Sequence, residues 1–97
     1  MALAGPEVRT LELTDEHTDL DQPYHVFLWN DPVTPMPVVV LILKRIFHYG
    51  EEKAAKLMLT AHERGKVVVW TGARDRAVDY SIQLGTAGLH STVAKDS

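Results

Sequence analysis

Residues 24–49 decide the fold, and they read Tyr24-His-Val-Phe-Leu-Trp29, Asn30-Asp-Pro-Val-Thr-Pro-Met-Pro37 and Val38-Val-Val-Leu-Ile-Leu-Lys-Arg-Ile-Phe-His-Tyr49. The first segment is aromatic and β-branched, and it is bounded by Pro23 and by turn-forming residues, so it predicts a strand that ends in a loop. The third segment contains three valines that favour a strand, but its length of 12 residues favours a helix.

Two consecutive helices follow from this pattern. Pro37 suits the first turn of the helix over 38–49, and Gly50 suits its end. The second helix covers Glu51–Arg64, because its acidic start favours the helix dipole and Gly65 follows its last turn. Its apolar stripe consists of Ala54, Leu57, Met58 and Ala61.

The rest of the chain supplies two strands and one more helix. The pattern predicts a strand over Lys66–Thr71, a helix over Gly72–Leu84 that stops at Gly85, and a short edge strand over Leu89–Ala94. The element order is therefore strand, helix, helix, strand, helix, strand. This order predicts an α+β fold, a two-layer sandwich in which three helices pack against a three-stranded antiparallel sheet.

The composition is that of a small globular domain. The chain has 97 residues, of which 45% are hydrophobic and 24% are charged, and it contains no cysteine. The lack of cysteine excludes disulfides, thiolate metal sites and a cysteine nucleophile. The longest apolar run, Val38–Leu43, is far too short to span a bilayer, and the N-terminus lacks the pattern of a secretory signal, so a cytoplasmic location is expected.

Charge divides the chain into two parts. Residues 1–23 hold six acidic residues and one basic residue, for a net charge of −5, whereas residues 24–97 have a net charge of +2. We therefore predict a disordered acidic N-terminal extension over 1–23 and a folded domain over 24–97. The extension is either a solubilising leader or a segment that a partner captures. The slight positive charge of the domain is too weak to indicate nucleic acid.

The residues show no arrangement that indicates an enzyme. There is no glycine-rich phosphate loop, His62-Glu63 lacks the second histidine of a zinc protease, and the five histidines have no metal-ligand spacing. The segment Gly85-Thr-Ala-Gly88 matches the pattern of a nucleic-acid clamp loop, but it carries no basic residue. We therefore expect no catalytic residue, no metal and no cofactor.

The loop over 30–37 is the unusual feature of the chain. Three prolines stiffen it, and a stiff loop that presents an amide, a carboxylate and a methionine loses little entropy when it binds a ligand. The alternative is a plain turn, in which Asn30 and Asp31 bond their own backbone and Met36 packs in the core. The physical chemistry of these residues leaves both interpretations open.

Two motifs resemble those of the ClpS family of adaptors. Family members show a strand that ends in Asn-Asp-Asp-x-Thr-Pro-Met, and here the segment reads Asn30-Asp-Pro-Val-Thr-Pro-Met36. They also show Leu-Met-x-x-x-His-x-x-Gly at a helix end, and here Leu57-Met-Leu-Thr-Ala-His-Glu-Arg-Gly65 matches it. The likeness runs from Tyr24 to Val93. Pro32 stands where the family's second Asp is expected, in a form that resembles actinobacterial members.

The resemblance implies a non-enzymatic adaptor. Such a protein binds substrates that carry a bulky apolar N-terminal residue (Leu, Phe, Tyr or Trp), called N-degrons, and delivers them to the N-terminal domain of a Clp AAA+ unfoldase of the ClpA or ClpC type. The acidic extension would engage the unfoldase, and no nucleic-acid or membrane partner is expected. Two alternatives are a structural protein-interaction module and a small-metabolite sensor, neither of which requires an N-terminal residue of a protein.

The resemblance also implies site residues. Asn30 and His62 would accept hydrogen bonds from the α-ammonium group, and Asp31 would add negative charge, because an ammonium group without such partners is costly to bury. The apolar pocket beside them would be formed by Thr34, Met36, Val39, Met58, Ala61 and Leu89. Met36 would exclude β-branched side chains. Asp75 would contact the unfoldase, although an ordinary solvated acid at a helix start fits it as well.

Some of these roles have plainer alternatives. Met58 and Ala61 could be ordinary core residues, and His62 could be a histidine stabilised by the negative pole of the helix dipole. Leu89 rests on the loosest match, because Gly88-Leu-His-Ser-Thr92 only resembles the family's Pro-Leu-Leu-x-Thr.

Overall fold

The structure, a computed structural model, describes residues 22–96. Its elements are β1 (Tyr24–Trp29), α1 (Met36–Phe47), α2 (Glu51–Arg64), β2 (Lys66–Gly72), α3 (Arg74–Thr86) and β3 (Ser91–Lys95). The predicted α+β class and element order are confirmed. The N-terminal extension that is predicted to be disordered consists mainly of residues 1–21, which lie outside the described part of the chain. The domain boundary at residue 23 therefore stays a prediction.

The first strand lies in the centre of the sheet. β1 pairs antiparallel with β2 on one side and with β3 on the other, so β3 is an edge strand as predicted. Val26 and Leu28 of β1 point toward the helices and are 0% and 2% exposed. They form the core together with Leu43 of α1 and Leu84 of α3, which are both fully buried. No helix within residues 22–96 is long and apolar enough to cross a membrane.

The first helix is displaced toward the N-terminus relative to its predicted range of 38–49. It begins at Met36, because Pro35 is the extended cap residue and its carbonyl accepts hydrogen bonds from the amides that follow. It ends at Phe47, because His48 adopts a left-handed φ of 62°. The prediction that Gly50 ends this helix is wrong, since Gly50 instead caps the start of α2.

The third helix continues beyond its predicted end. α3 runs to Thr86, so the predicted stop at Gly85 is wrong. A glycine ends a helix where it takes a left-handed conformation, and here Gly88 does so with a φ of 97°. The amide of Leu89 then donates to the carbonyl of Leu84 at 2.9 Å. The strand predicted over Leu89–Ala94 consequently starts at Ser91 and leaves Leu89 in the preceding turn.

One end of the sandwich is closed by aromatic rings. The Phe47 ring lies 5.2 Å from that of Tyr49 and 4.6 Å from that of Tyr80, and Tyr80 lies 4.9 Å from Trp70. The Tyr49 hydroxyl donates to the carbonyl of Val69 at 2.6 Å. This cluster contains the C-terminal end of α1. The loop that enters α1 therefore lies at the opposite end of the domain.

Candidate functional site

The end of β1 is held from two sides. The Trp29 amide donates to the carbonyl of His90 at 3.0 Å, and the Asn30 amide donates to the carbonyl of Gly65 at 2.9 Å. The Trp29 indole also donates to the Thr92 hydroxyl at 2.9 Å. Asn30 is thereby fixed between the end of α2 and the segment that precedes β3.

Asp31 organises the loop that follows. Its Oδ1 accepts a hydrogen bond from the Val33 amide at 2.9 Å, and its Oδ2 accepts one from the Thr34 hydroxyl at 2.8 Å. These bonds, the one from Val33 above all, hold the pKa of Asp31 below its usual value, so its carboxylate is ionised at neutral pH. The plain-turn interpretation is therefore correct for Asp31. It is wrong for Met36, which is 40% exposed and does not belong to the buried core.

The end of α2 brings His62 to the same place. Gly65 has a φ of 94° and its amide donates to the carbonyl of Ala61 at 2.8 Å, which closes the helix in the manner expected of a glycine cap. His62 lies exposed in the last turn. The carbonyl groups at this end of a helix carry partial negative charge, so a cation placed beside them is stabilised.

These elements enclose a pocket with a volume of about 240 Å³. All nine residues that were predicted to recognise a substrate N-terminus line it, namely Asn30, Asp31, Thr34, Met36, Val39, Met58, Ala61, His62 and Leu89. Its floor is apolar and buried, since it consists of Val39, Ala61 and Leu89, which are 8%, 3% and 4% exposed. Asn30 and His62 are exposed at its rim. Such a pocket suits a ligand with an apolar body and a polar end.

Four further residues line the pocket and were not predicted as pocket residues: Leu28, Trp29, Pro32 and Pro35. The place of Leu28 in the pocket could have been predicted from the alternation of side chains along β1. Residues two apart in a strand point to the same side, and Leu28 lies two residues before Asn30. The two prolines flank Val33 and Thr34 in the loop that borders the cavity. No periodic pattern could have placed them there.

Asp75 lies apart from the pocket. It stands in the first turn of α3, its side chain is 97% exposed, and its Oδ1 is 3.9 Å from Nη1 of Arg74. α3 begins after Gly72, which pairs with Tyr24 at the start of β1, whereas the pocket lies beyond the end of that strand. The role predicted for Asp75 is therefore spatially independent of the pocket and stays a prediction.

The polar groups at the rim of the pocket can accept hydrogen bonds from a cation. Among residues 22–96, no three His, Asp or Glu side chains lie close enough together to hold a metal ion. The rim offers the side-chain carbonyl of Asn30 and one ring nitrogen of His62 as hydrogen-bond acceptors, and it has the charge of Asp31 nearby. A protonated amine is the kind of group that these acceptors and the end of α2 can receive.

Comparison with known proteins supplies the family. Residues 19–92 match the family model of the ATP-dependent Clp protease adaptor protein ClpS. The chain belongs to the ClpS family. ClpS of Nocardia farcinica is 38% identical over 95 residues, which cover 98% of this chain and 88% of that protein. ClpS of Mycobacterium tuberculosis is 40% identical over 77 residues, which cover 78% of this chain and 75% of that protein.

These ClpS relatives are named adapters of the Clp protease, and the chain is accordingly an adaptor and not an enzyme. A solved structure has the same fold: ClpS2 of Agrobacterium tumefaciens bound to L-phenylalaninamide matches with a TM-score of 0.72 and 32% sequence identity. The match covers 77% of this chain and 98% of that one. The resemblance to ClpS that rested on two short motifs is thus confirmed.

Proposed function

We propose that this adaptor binds proteins that begin with Leu, Phe, Tyr or Trp through their free N-terminal residue and delivers them to a Clp AAA+ unfoldase for degradation. The observation that carries the proposal is one pocket in which a buried apolar floor meets a polar rim. L-phenylalaninamide, the ligand of the Agrobacterium tumefaciens relative, combines a bulky apolar side chain with a free amino group, and it supports the same class of ligand here.

At the polar end, Asn30 and His62 accept hydrogen bonds from the α-ammonium group. The backbone of Asn30 is tied to Gly65, so both acceptors are positioned by the end of α2. Asp31 acts differently, because its two oxygens already hold the amide of Val33 and the hydroxyl of Thr34. It positions the loop and adds a negative charge that attracts the cation.

At the apolar end, the first side chain of the substrate enters the pocket. Val39, Ala61 and Leu89 form a buried floor, Met58 and Thr34 form walls, and Met36 stands at the mouth. Complete burial of a leucine or phenylalanine side chain is worth about 1.5 to 3 kcal/mol. A β-branched side chain carries a second carbon at Cβ, next to the mouth, and is therefore disfavoured by Met36.

The test compares peptides that begin with Leu, acetyl-Leu and Val, measured by fluorescence anisotropy on the purified protein. We expect the acetylated peptide and the Val peptide to bind at least tenfold more weakly than the Leu peptide, which corresponds to about 1.4 kcal/mol. Equal binding of the acetylated peptide would contradict the proposal and would favour a protein-interaction module without specificity for N-termini. Saturation by free leucine, with no preference for the peptide, would favour a metabolite sensor.

Delivery requires a second surface. We assign it to the start of α3, where Asp75 is fully accessible, and the partner to the N-terminal domain of an unfoldase of the ClpA or ClpC type. Since the pocket lies at the other end of β1, a substrate and the unfoldase can occupy the adaptor together.

A further inference from the structure

A second and more open groove adjoins the pocket. It has a volume of about 490 Å³, and its lining consists of Met36, Pro37, Val40, Leu41, Lys44, Glu51 and Met58. Met36 and Met58 line both cavities and form the wall between them. The groove therefore begins where the mouth of the pocket ends and follows the outer side of α1.

The surface of the groove is apolar and electrically balanced. Leu41 is 46% exposed there, although a leucine on a helix is more often turned inward. At the far end, Nζ of Lys44 lies 2.7 Å from Oε1 of Glu51, so the positive and negative charges of the lining are paired with each other. Recognition of a single N-terminal residue uses neither Leu41 nor this ion pair.

We propose that this groove binds the third residue of the polypeptide whose first residue occupies the pocket, and that it selects an apolar side chain. The inference rests on the proposed function. In an extended chain the side chains alternate, so those of the first and third residues point to the same side about 7 Å apart. A first side chain in the pocket thus directs the third one over the wall formed by Met36 and Met58 and into the groove.

The lining also determines the selectivity of the groove. Methionine side chains are unbranched and adapt to ligands of different shape, so the shared wall tolerates several apolar residues. An acidic third residue would compete with Glu51 for Lys44, and a basic one would compete with Lys44 for Glu51. Either charge would disturb the existing ion pair, whereas an apolar side chain leaves it intact.

The experiment moves one leucine along a short peptide. The three peptides are Phe-Leu-Gly-Gly-Ser, Phe-Gly-Leu-Gly-Ser and Phe-Gly-Gly-Gly-Ser, and their affinities for the full chain are measured by calorimetry. We expect leucine at the third position to tighten binding about fivefold over glycine, as partial burial of its side chain would. Leucine at the second position should change the affinity by less than about twofold, because its side chain points away from the groove.

A matched pair of variants assigns the gain to the groove. Leu41→Ser should abolish the gain from the third residue and leave the affinity for L-phenylalaninamide unchanged, because Leu41 is not part of the pocket. Ile82→Ser is the control: Ile82 is 61% exposed on α3 and belongs to neither cavity. This variant should retain both the gain and the affinity for the amide.

The outcomes separate this inference from the proposed function. Failure of L-phenylalaninamide to bind would overturn the proposed function and this inference with it. Binding of the amide without a gain from leucine at the third position would overturn the inference alone. Tighter peptide binding by Leu41→Ser would mean that residues 1–21 occupy the groove. Self-association of the unmodified chain that is lost in this variant would mean that a second copy occupies it. Both results would also overturn the inference.

Discussion

Met36 differs from the other apolar residues of the pocket. It is 40% exposed at the first position of α1, whereas Val39, one turn later, is 8% exposed on the floor. A side chain at the mouth can restrict which substrates enter without supporting the fold. A substitution of Met36 should therefore change the selectivity for substrates much more than the free energy of unfolding.

The first prediction concerns Met36→Ala. We expect the affinity of this variant for peptides that begin with Val or Ile to be within about threefold of its affinity for a Leu peptide. The reason is that the branch at Cβ of the first residue no longer meets the Met36 side chain. Its free energy of unfolding should fall by less than about 1 kcal/mol, since the side chain is partly exposed. Val33→Ala, in the same loop but 86% exposed and outside the pocket, should retain the discrimination. Loss of stability with unchanged discrimination would show that Met36 has no gating role.

The second prediction concerns the charge of Asp31. The hydrogen bonds from Val33 and Thr34 favour its ionised form, so its pKa in the folded state lies below the unfolded value of about 3.9. The stabilisation of the folded state by the ionised Asp31 carboxylate is therefore complete above the unfolded-state pKa. It is lost as the pH falls through the lower pKa of the folded state. In an NMR titration, the amide resonance of Val33 should move with a midpoint below pH 3.9 or so, and Asp31→Asn should remove this transition. A midpoint at the ordinary value would contradict the hydrogen bonds described.

At the scale of the elements, the ends of the helices were the hardest features to predict. β1 and α2 have the predicted bounds, because each is delimited by a single clear signal on either side. α1 has prolines at both 35 and 37 near its start, and α3 has glycines at both 85 and 88 near its end. Local sequence offers two candidates in each case. The helix end that forms is the one at which the backbone has the required geometry, extended at Pro35 and left-handed at Gly88.

The third prediction compares two glycines, Gly65 at the end of α2 and Gly85 within α3. Gly65→Ala places a side chain at a φ of 94°, which should cost about 1 kcal/mol of folding free energy and also weaken peptide binding, because Gly65 ends the helix that carries His62 and holds Asn30. Gly85→Ala is the matched control. Gly85 lies inside α3 with open space at the position of a Cβ, so this change should stabilise the protein by about 0.5 to 1 kcal/mol and leave binding unchanged.

Urea denaturation and fluorescence anisotropy measure the two effects. If Gly65→Ala changed stability and affinity no more than Gly85→Ala does, the end of α2 would not be the element that positions the acceptors. That result would also remove the physical basis for pairing Asn30 with His62.

At the scale of the whole molecule, the pocket and the start of α3 are separated by the length of the sheet. β1 runs between them, with Tyr24 near α3 and Trp29 near the pocket. A rigid sheet between two surfaces allows each to bind its own partner. The proposed function needs this arrangement, because the protein would have to hold a substrate while it contacts the unfoldase.

The fourth prediction tests this separation. Asp75→Asn should leave the affinity for a Leu-starting peptide unchanged and slow the unfoldase-dependent degradation of a Leu-starting reporter protein about two- to fivefold, which is the typical effect of one exposed charge pair. Glu52→Gln, which neutralises another exposed acid in the first turn of a helix, should change neither quantity. Normal degradation by the Asp75→Asn variant would place the unfoldase contact elsewhere.

The sequence by itself determined the α+β class, the order of the six elements and, through its resemblance to the ClpS family, the residues assigned to the pocket. These properties depend on local patterns, namely hydrophobic period, turn residues and short motifs. Only the tertiary structure decided that Met36 is 40% exposed and not packed in the core, and that a second groove adjoins the pocket. Such relations join residues far apart in the chain, and their distances are set by the packing of α1 and α2 on the sheet.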